Sequence, residues 1–488
     1  MGDTSQHDGG RSGVSRRSFV KAAGASGVAA GLAGCIYGGS GGGGGGSGAT
    51  ITWGFDPTMA QENGDKITQL FHDNGLSKDI TLKLSGGSEK TGNRQKTYQQ
   101  LLNAGQSSPD MFMMDCGWTI PFIVRDQIMN LSNELPEDNL KEINNEYFDA
   151  SVQTTKNPDT GDIYGVPLYP DLPTMNYRKD LVKKAGYQPD KKNWASTPMT
   201  WKQFNKITSD VMKQTNTDMG YSFQFDAYVG LACCDFNEFL SSWGGAYFGS
   251  MDNLFGPVGK RPVTIAKEPV QQALRMVRTF IHGEKDPEAL SSYSKIAPTE
   301  VLTWTEETSR KPFAAGNVVM HRNWPYVIPL NYEEAKWASP ESYGVMPLPY
   351  AKGSPTQKGV GGTSPALGGW HTTVNPNTEN KEAVMEVIKT QMKDEVQLGI
   401  FEIAGWLPPK TKLLDTKAAR KVKPTGRYLD TFKVAGKNAV PRPVTVVWPS
   451  ESKATYQEVN AIAAQKKSVK SGLNTLESRL KKIENSSQ

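Results

Sequence analysis

Ile163-Tyr-Gly-Val-Pro-Leu-Tyr-Pro-Asp-Leu-Pro-Thr-Met-Asn-Tyr-Arg-Lys-Asp-Leu-Val-Lys-Lys-Ala-Gly186 is the stretch that decides how this chain is built. Val166, Leu168 and Tyr169 form a short apolar run. Pro167, Pro170 and Pro173 exclude a helix and disfavour a regular central strand, because proline fixes φ and has no N–H to donate. An extended, stiff crossing segment remains, with Asp171 as the one acid in its middle. Tyr177-Arg178-Lys179-Asp180 then opens a short amphipathic helix that stops at Gly186, a residue suited to the C′ position. A stiff strand carrying one carboxylate between two folded blocks suits a hinge beside a ligand cleft. The local pattern fits a surface β-turn with a solvated aspartate equally well.

Upstream, the pattern alternates strand and helix. Ala49–Phe55 is β-rich and ends at Asp56-Pro57. A helix follows with Ile67, Leu70 and Phe71 on one face and a stop at Gly75. Ile80–Ser85 alternates as a strand, 95–104 reads as a helix, and Pro109–Asp115 as a short buried strand. This β-α-β-α-β order predicts a mostly parallel sheet covered by helices, with ligands beyond the carboxyl ends of its strands. Asp56 and Asp115 fall at such ends; a strand-end aspartate that only caps the next helix is the competing reading.

Downstream, Thr200-Trp-Lys-Gln203 has capping-box spacing and opens a helix to about Gln214. Helices are expected over Cys233–Trp243 and over Glu268–Ile281, the latter with Val270, Leu274, Val277 and Ile281 on one stripe. Phe313–Trp324 reads as loop, buried strand and terminal aromatic, and Tyr343–Pro349 as a strand running into a Pro/Gly-rich loop to Gly362. Leu367–Val374 is a second candidate crossing; Gly368 and Gly369 there allow close backbone approach. Further helices are expected over Lys381–Phe401, Asp415–Val434, Glu451–Lys466 and Val469–Glu484.

The N-terminus carries Ser15-Arg-Arg-Ser-Phe-Val-Lys21, which reads as a twin-arginine export signal, then a short apolar run from Ala22 to Gly34. Leu32-Ala-Gly-Cys35 resembles a lipoprotein cleavage box with Cys35 as the lipidated residue. Residues 36–48 are almost entirely glycine and serine from Gly38 onward, a composition that makes a flexible tether. Residues 1–35 are therefore expected to be signal and 36–48 a leash to a membrane surface.

The chain of 488 residues is long enough for at least two domains. Removing the first 34 residues leaves 51 basic and 48 acidic side chains, a net of +3, which gives no nucleic-acid signature. Cys116, Cys233 and Cys234 are odd in number, and no C-x-x-C occurs, so a zinc ribbon or thioredoxin-type site is unsupported. They read as buried small hydrophobes, the adjacent pair being poorly placed to bond to each other. The five histidines stand in no H-E-x-x-H, and neither G-x-S-x-G nor a P-loop is present. That inventory favours binding over catalysis, with no metal and no cofactor.

Tyr164-Gly-Val-Pro167, Asp171 and Asn176-Tyr-Arg-Lys-Asp180 together resemble the first crossover of extracellular solute-binding proteins of sugar ABC transporters, the maltose/trehalose-binding group. Phe313–Trp324 resembles a further segment of that family, with Val319 where alanine is usual, and Gly368-Gly-Trp370 and Pro441-Arg-Pro443 fit the same branch. The resemblance spans residues 49–485. It implies an α/β, periplasmic-binding-protein-like fold of type II, two lobes joined by a multi-strand hinge. Lobe one would be 49–168 plus 368–411, and lobe two 171–366 plus 412–488. It implies a lipid-anchored monomer that closes on a mono- or oligosaccharide and delivers it to ABC permease subunits, with no nucleic-acid partner. By the same resemblance Asp56, Asp115 and Asp171 take sugar hydroxyls, Tyr169, Trp324 and Trp370 stack, Gly368 and Gly369 offer backbone groups, and Arg442 donates. Carboxylates suit hydroxyls because charge-assisted hydrogen bonds are strong, and ring faces suit the apolar C–H surface of a sugar. Trp118, Trp243, Trp406 and Trp448 read as core before ligand contact. A surface-anchored hydrolase or lectin, or the same fold with a non-sugar ligand, stays open as the alternative.

Overall fold

The computed structural model describes residues 48–88, 91–353 and 362–486. The segment expected to be export signal, lipidation site at Cys35 and tether up to Ser47 lies outside the described residues, as does most of the loop before Gly362.

Among the described residues nine strands build two sheets. β1 (Ala49–Phe55), β2 (Ile80–Gly86), β3 (Met111–Asp115), β4 (Gly165–Asp171) and β9 (Gly368–Val374) form a five-stranded sheet of order β2-β1-β3-β9-β4. β5 (Thr174–Arg178), β6 (Met219–Ser222), β7 (Val318–Asn323) and β8 (Tyr343–Met346) form a four-stranded sheet of order β6-β7-β5-β8. β1, β2 and β3 run parallel, as the alternating pattern predicts. Both sheets are nevertheless mixed: β9 runs antiparallel to β3 and β4, and β5 antiparallel to β7 and β8. β9 returns from the other lobe instead of following a crossover helix, so nothing imposes the parallel sense on it.

Pro167 and Pro170 lie in β4, and Pro173 in the link to β5, so the stretch is extended as its prolines require. β4 is the edge of its sheet and pairs only with β9, with a register shift between Pro167 and Tyr169. An edge strand needs donors on one side only, which is where proline is tolerated. Two residues later the chain is in the middle of the second sheet as β5. Leu172 and Pro173 are thus the first crossing between two α/β lobes. Pro365–Leu367 is a second, laid beside Val440: Val440 donates to Pro365 O at 2.8 Å and Leu367 to Val440 O at 2.9 Å.

Each lobe has its own core. One gathers Trp53, Ile67, Phe71, Met113, Val166 and Ile388; the other gathers Phe204, Tyr221, Phe239, Leu274, Val277 and Leu476. A third cluster, with Cys116, Phe148, Leu172, Tyr343, Leu367 and Phe432, packs where the lobes meet. The capping box forms as read, with Thr200 Oγ1 accepting from Gln203 N and the Gln203 side chain from Thr200 N.

Three helical readings change. The 381–401 segment is two helices, Lys381–Gln391 and Asp394–Ala404, because Lys393 turns extended and the buried Lys410 takes the Met392 carbonyl. The 415–434 segment breaks around Pro424, which cannot donate inside a helix, and resumes as Leu429–Lys437. Phe313 and Ala314 are the last turn of Glu306–Ala314 and not loop. Cys233 and Cys234 are joined as a disulfide within a π-helical turn, Leu231–Asp235, where two separate thiols were expected. Cys116 is free and buried.

Candidate functional site

The carboxyl ends of β1 and β3 each carry an aspartate, Asp56 and Asp115. Asp56 does what the capping argument requires and more. Its Oδ1 accepts from Met59 N at 3.0 Å at the start of Pro57–Asp73, and its Oδ2 lies 3.5 Å from Arg94 Nη1. Asp115 Oδ1 accepts from Gly117 N at 2.7 Å and lies 3.2 Å from Arg442 Nη1. Neither carboxylate is fully occupied, and both stay half-buried.

β9 ties these acids to the rings. Trp370 stands opposite Asp115 on one side and Tyr169 on the other. The Arg94 guanidinium sits 4.4 Å above the Trp370 ring, and Trp118 meets that ring edge-on at 5.5 Å. Tyr169 stacks on Trp406, ring centres 4.3 Å apart.

The two glycines are required by contact. Gly369 has φ +125°, and a Cβ there would lie 2.5 Å from Tyr169 O. A Cβ on Gly368 would lie 2.8 Å from the Trp324 ring and 3.1 Å from Asp171 Cβ. Gly368 is therefore the point where Trp324, carried past β7 from the other lobe, reaches Asp171.

Trp324 lies with the Arg322 guanidinium 4.6 Å from its ring. Asp171 pairs in register with Gly368. Among the described residues its carboxylate has no hydrogen bond and no ion pair. Burial pushes its pKa up to about 7; Arg322 counters this, while Asp115 and Glu306 add to it. Glu306, at the start of its helix, accepts from the Tyr228 hydroxyl at 2.9 Å.

All nine residues singled out in the sequence are thus linked through shared contacts: Asp56, Asp115, Tyr169, Asp171, Trp324, Gly368, Gly369, Trp370 and Arg442. Four others lie beside them, Arg94 and Trp406 by Asp56, Trp370 and Tyr169, and Glu306 and Tyr228 on the side of Asp171; the sequence reading gives Trp406 only a secondary place and the other three none. Arg94 is one helical turn before the inward-facing Tyr98, which is the signal that could have found it. Trp406 was set down as core but is half-exposed and carries Tyr169. Glu306 and Tyr228 have no local pattern that marks them. Trp118 and Trp448 are buried, as core residues should be.

A cavity of about 1050 Å³ lies elsewhere, between Asp149–Gln153 and the end of Leu429–Lys437. Of the lysines on its rim, Lys412 pairs with Glu146 and Asp394, and Lys433 with Asp415. It lacks the half-occupied acids of the β-strand ends, so the chemistry stays with the first site.

The sequence model of the family described as bacterial extracellular solute-binding protein matches residues 70–424. A relative from Deinococcus radiodurans, a probable ABC transporter-binding protein, is 30% identical over 411 residues, covering 83% of this chain and 86% of that one. Maltose-bound MalE3 of T. maritima superposes with a TM-score of 0.69 at 25% identity, over 89% of this chain and 100% of that chain. The GacH receptor of Streptomyces glaucescens, solved unliganded and with acarbose, superposes with a TM-score of 0.67 at 17% identity, over 89% and 98%.

Proposed function

The chain belongs to the bacterial extracellular solute-binding proteins and works as the binding component of an ABC transporter rather than as an enzyme; from that premise we propose that its ligand is a neutral saccharide. The observation that carries this is the pairing of Asp171 with Trp324 across Gly368. One offers acceptor oxygens with no partner, the other a flat ring. A sugar presents hydroxyl donors on its rim and C–H groups on its face, and fills both needs at once. Asp56 and Asp115 keep free acceptor positions on the opposite wall, and Arg94 and Arg442 supply donors for ring or hydroxyl oxygens. Four carboxylates around two arginines disfavour an anion by like-charge repulsion.

Lobe one is then 49–171 with 368–411, and lobe two 174–366 with 412–488, because β4 runs to Asp171 in the five-stranded sheet and β5 starts at Thr174 in the other. Asp171 and Trp324 end strands that lead into different sheets, so a ligand touching both walls favours the closed arrangement. The closed monomer presents itself to the permease. Export by the twin-arginine signal and lipidation at Cys35 moor it outside the membrane. None of the helices among the described residues is long and apolar enough to cross a membrane.

A thermal-shift screen tests the ligand class. Mono- and oligosaccharides, maltose among them, are expected to raise the melting temperature, and glycerol 3-phosphate is not. A shift with the phosphate alone would overturn the reading. Release of a reducing sugar from an added oligosaccharide would favour the hydrolase alternative. Cys35→Ser is expected to move the protein from the membrane fraction to the medium.

A further inference from the structure

Beneath the Trp324 ring lies a charge cluster that no ligand can reach. Arg322, Glu238 and Asp235 are each buried, at 1%, 5% and 1% exposure. Glu238 and Asp235 come from one turn of backbone, at and just before the helix Phe236–Ser242. Buried charge is expensive unless every partner is in place, and a leucine or methionine would fill the same space without that cost. The partners show what the cluster is attached to.

Glu238 receives the Arg322 guanidinium through both oxygens, Nε to Oε2 at 2.9 Å and Nη2 to Oε1. The third donor to Glu238 is the backbone N–H of Ala366, 3.3 Å from Oε1. Ala366 belongs to the second crossing and is bridged to Val440. One residue earlier on the helix, Asn237 donates to Val440 O at 3.2 Å and Pro441 O at 3.4 Å. That segment leads directly to Arg442, which pairs with Asp115 in lobe one. Arg322 is also held by Gln224, whose Oε1 accepts from Nη1 at 2.9 Å. Its guanidinium is therefore fixed on both edges, and its face supports Trp324.

We propose that Glu238 is a positioning residue for the cleft: one carboxylate locks the guanidinium that supports Trp324 to the backbone of the strand that crosses between the lobes. The orientation of the stacking ring and the path of the crossing then cannot change independently. This rests on the ligand reading above for its consequence in binding, but the linkage itself is present without ligand.

Protein labelled with 5-fluorotryptophan tests it in the ligand-free state. The Trp324 signal is assigned by its loss in Trp324→Phe. Glu238→Gln keeps the volume and an oxygen acceptor but removes the charge. It is expected to shift the Trp324 signal and to speed exchange of the Ala366 amide at least tenfold, leaving the signal of Trp53 in lobe one unmoved. If either change is missing, or Trp53 moves as much as Trp324, the proposal is overturned. Should Glu238→Gln fail to fold, Arg322→Lys is expected to give the same pair of changes, and their absence there overturns the proposal equally. With maltose as probe, Glu238→Gln is expected to weaken binding at least tenfold and to be non-additive with Trp324→Phe; additivity would overturn the coupling. A wild-type protein that ignores maltose but shows the ligand-free changes leaves the linkage standing and removes the choice of sugar.

Discussion

Two sites in this molecule use nearly the same residues for opposite ends. At the base of lobe two, Arg261 is shared by Glu451 and Glu484, with nitrogen–oxygen distances of 3.2 and 2.7 Å and side chains at 0–3% exposure. Phe248 lies 3.6 Å from its guanidinium, and Gly259 N gives Glu484 a further donor. In the cleft, Arg442 meets Asp115 at 3.2 Å while Asp171 stands nearby with no ion pair among the described residues. The triad holds one arginine and two acids, and the cleft uses the same residue types, with Arg94 and Arg442 among Asp56, Asp115, Asp171 and Glu306. The first is closed: burial and its acidic neighbour push Glu451 up to about 9, so at neutral pH it keeps a proton and the triad balances. In the second, Asp171 accepts no hydrogen bond among the described residues, and Asp115 meets Gly117 N and Arg442. Composition does not separate a brace from a binding site; unfilled hydrogen-bonding capacity does.

The comparison breaks hardest at Arg261. Arg261→Ala leaves two buried acids facing each other and is expected to cost about 3–5 kcal/mol of stability. Chemical denaturation measures it, and saccharide affinity of the folded fraction should be unchanged. In the cleft the signs reverse. Asp171→Ala and Trp324→Ala are each expected to lower saccharide affinity at least a hundredfold, about 2.7 kcal/mol, while the ligand-free melting temperature stays close to wild type. Titration calorimetry beside a thermal melt decides it, and wild-type affinity in both variants would remove the site assignment.

Acidity sharpens the contrast further. Asp171 ionises near pH 7 in the fold but near its ordinary value when unfolded. The ligand-free protein should therefore lose stability as pH rises from about 4 to about 7. Sugar hydroxyls prefer the ionised carboxylate, so affinity should fall as pH drops through about 7, by up to about tenfold per unit. Asp171→Asn should flatten both profiles. The smallest effect lies far from either site. Thr200→Ala removes one member of the capping box and is expected to cost about 1 kcal/mol, read by denaturation, with binding untouched.

Much of the fold was legible because its signals are local. The capping box at Thr200, the apolar stripe of Glu268–His282 and the strand alternation at Ile80 depend only on neighbours in the chain. The helix break around Pro424 was missed although proline signals it, because the flanking residues still favour helix. The direction of β9 was not legible: a strand's sequence does not say which neighbour it will join. Among the candidate site residues, the strand-end positions of Asp56 and Asp115 were legible. Glu306 and Tyr228 were not, since the first looks like any acid in a first helical turn and the second like any loop aromatic.

The sequence by itself determined the alternating elements and the stiffness of the stretch that ends in the first crossing, because proline chemistry and hydrophobic period act within a few residues, and its motifs carried the family resemblance. Tertiary structure alone decided which acids are left without donors. Asp171 and Glu451 are both single carboxylates in their local stretch of chain, and only folding puts Arg261 against one of them and Gly368 and Trp324 against the other. Charge and hydrogen-bond satisfaction are properties of distance in space, and separation along the chain does not encode them.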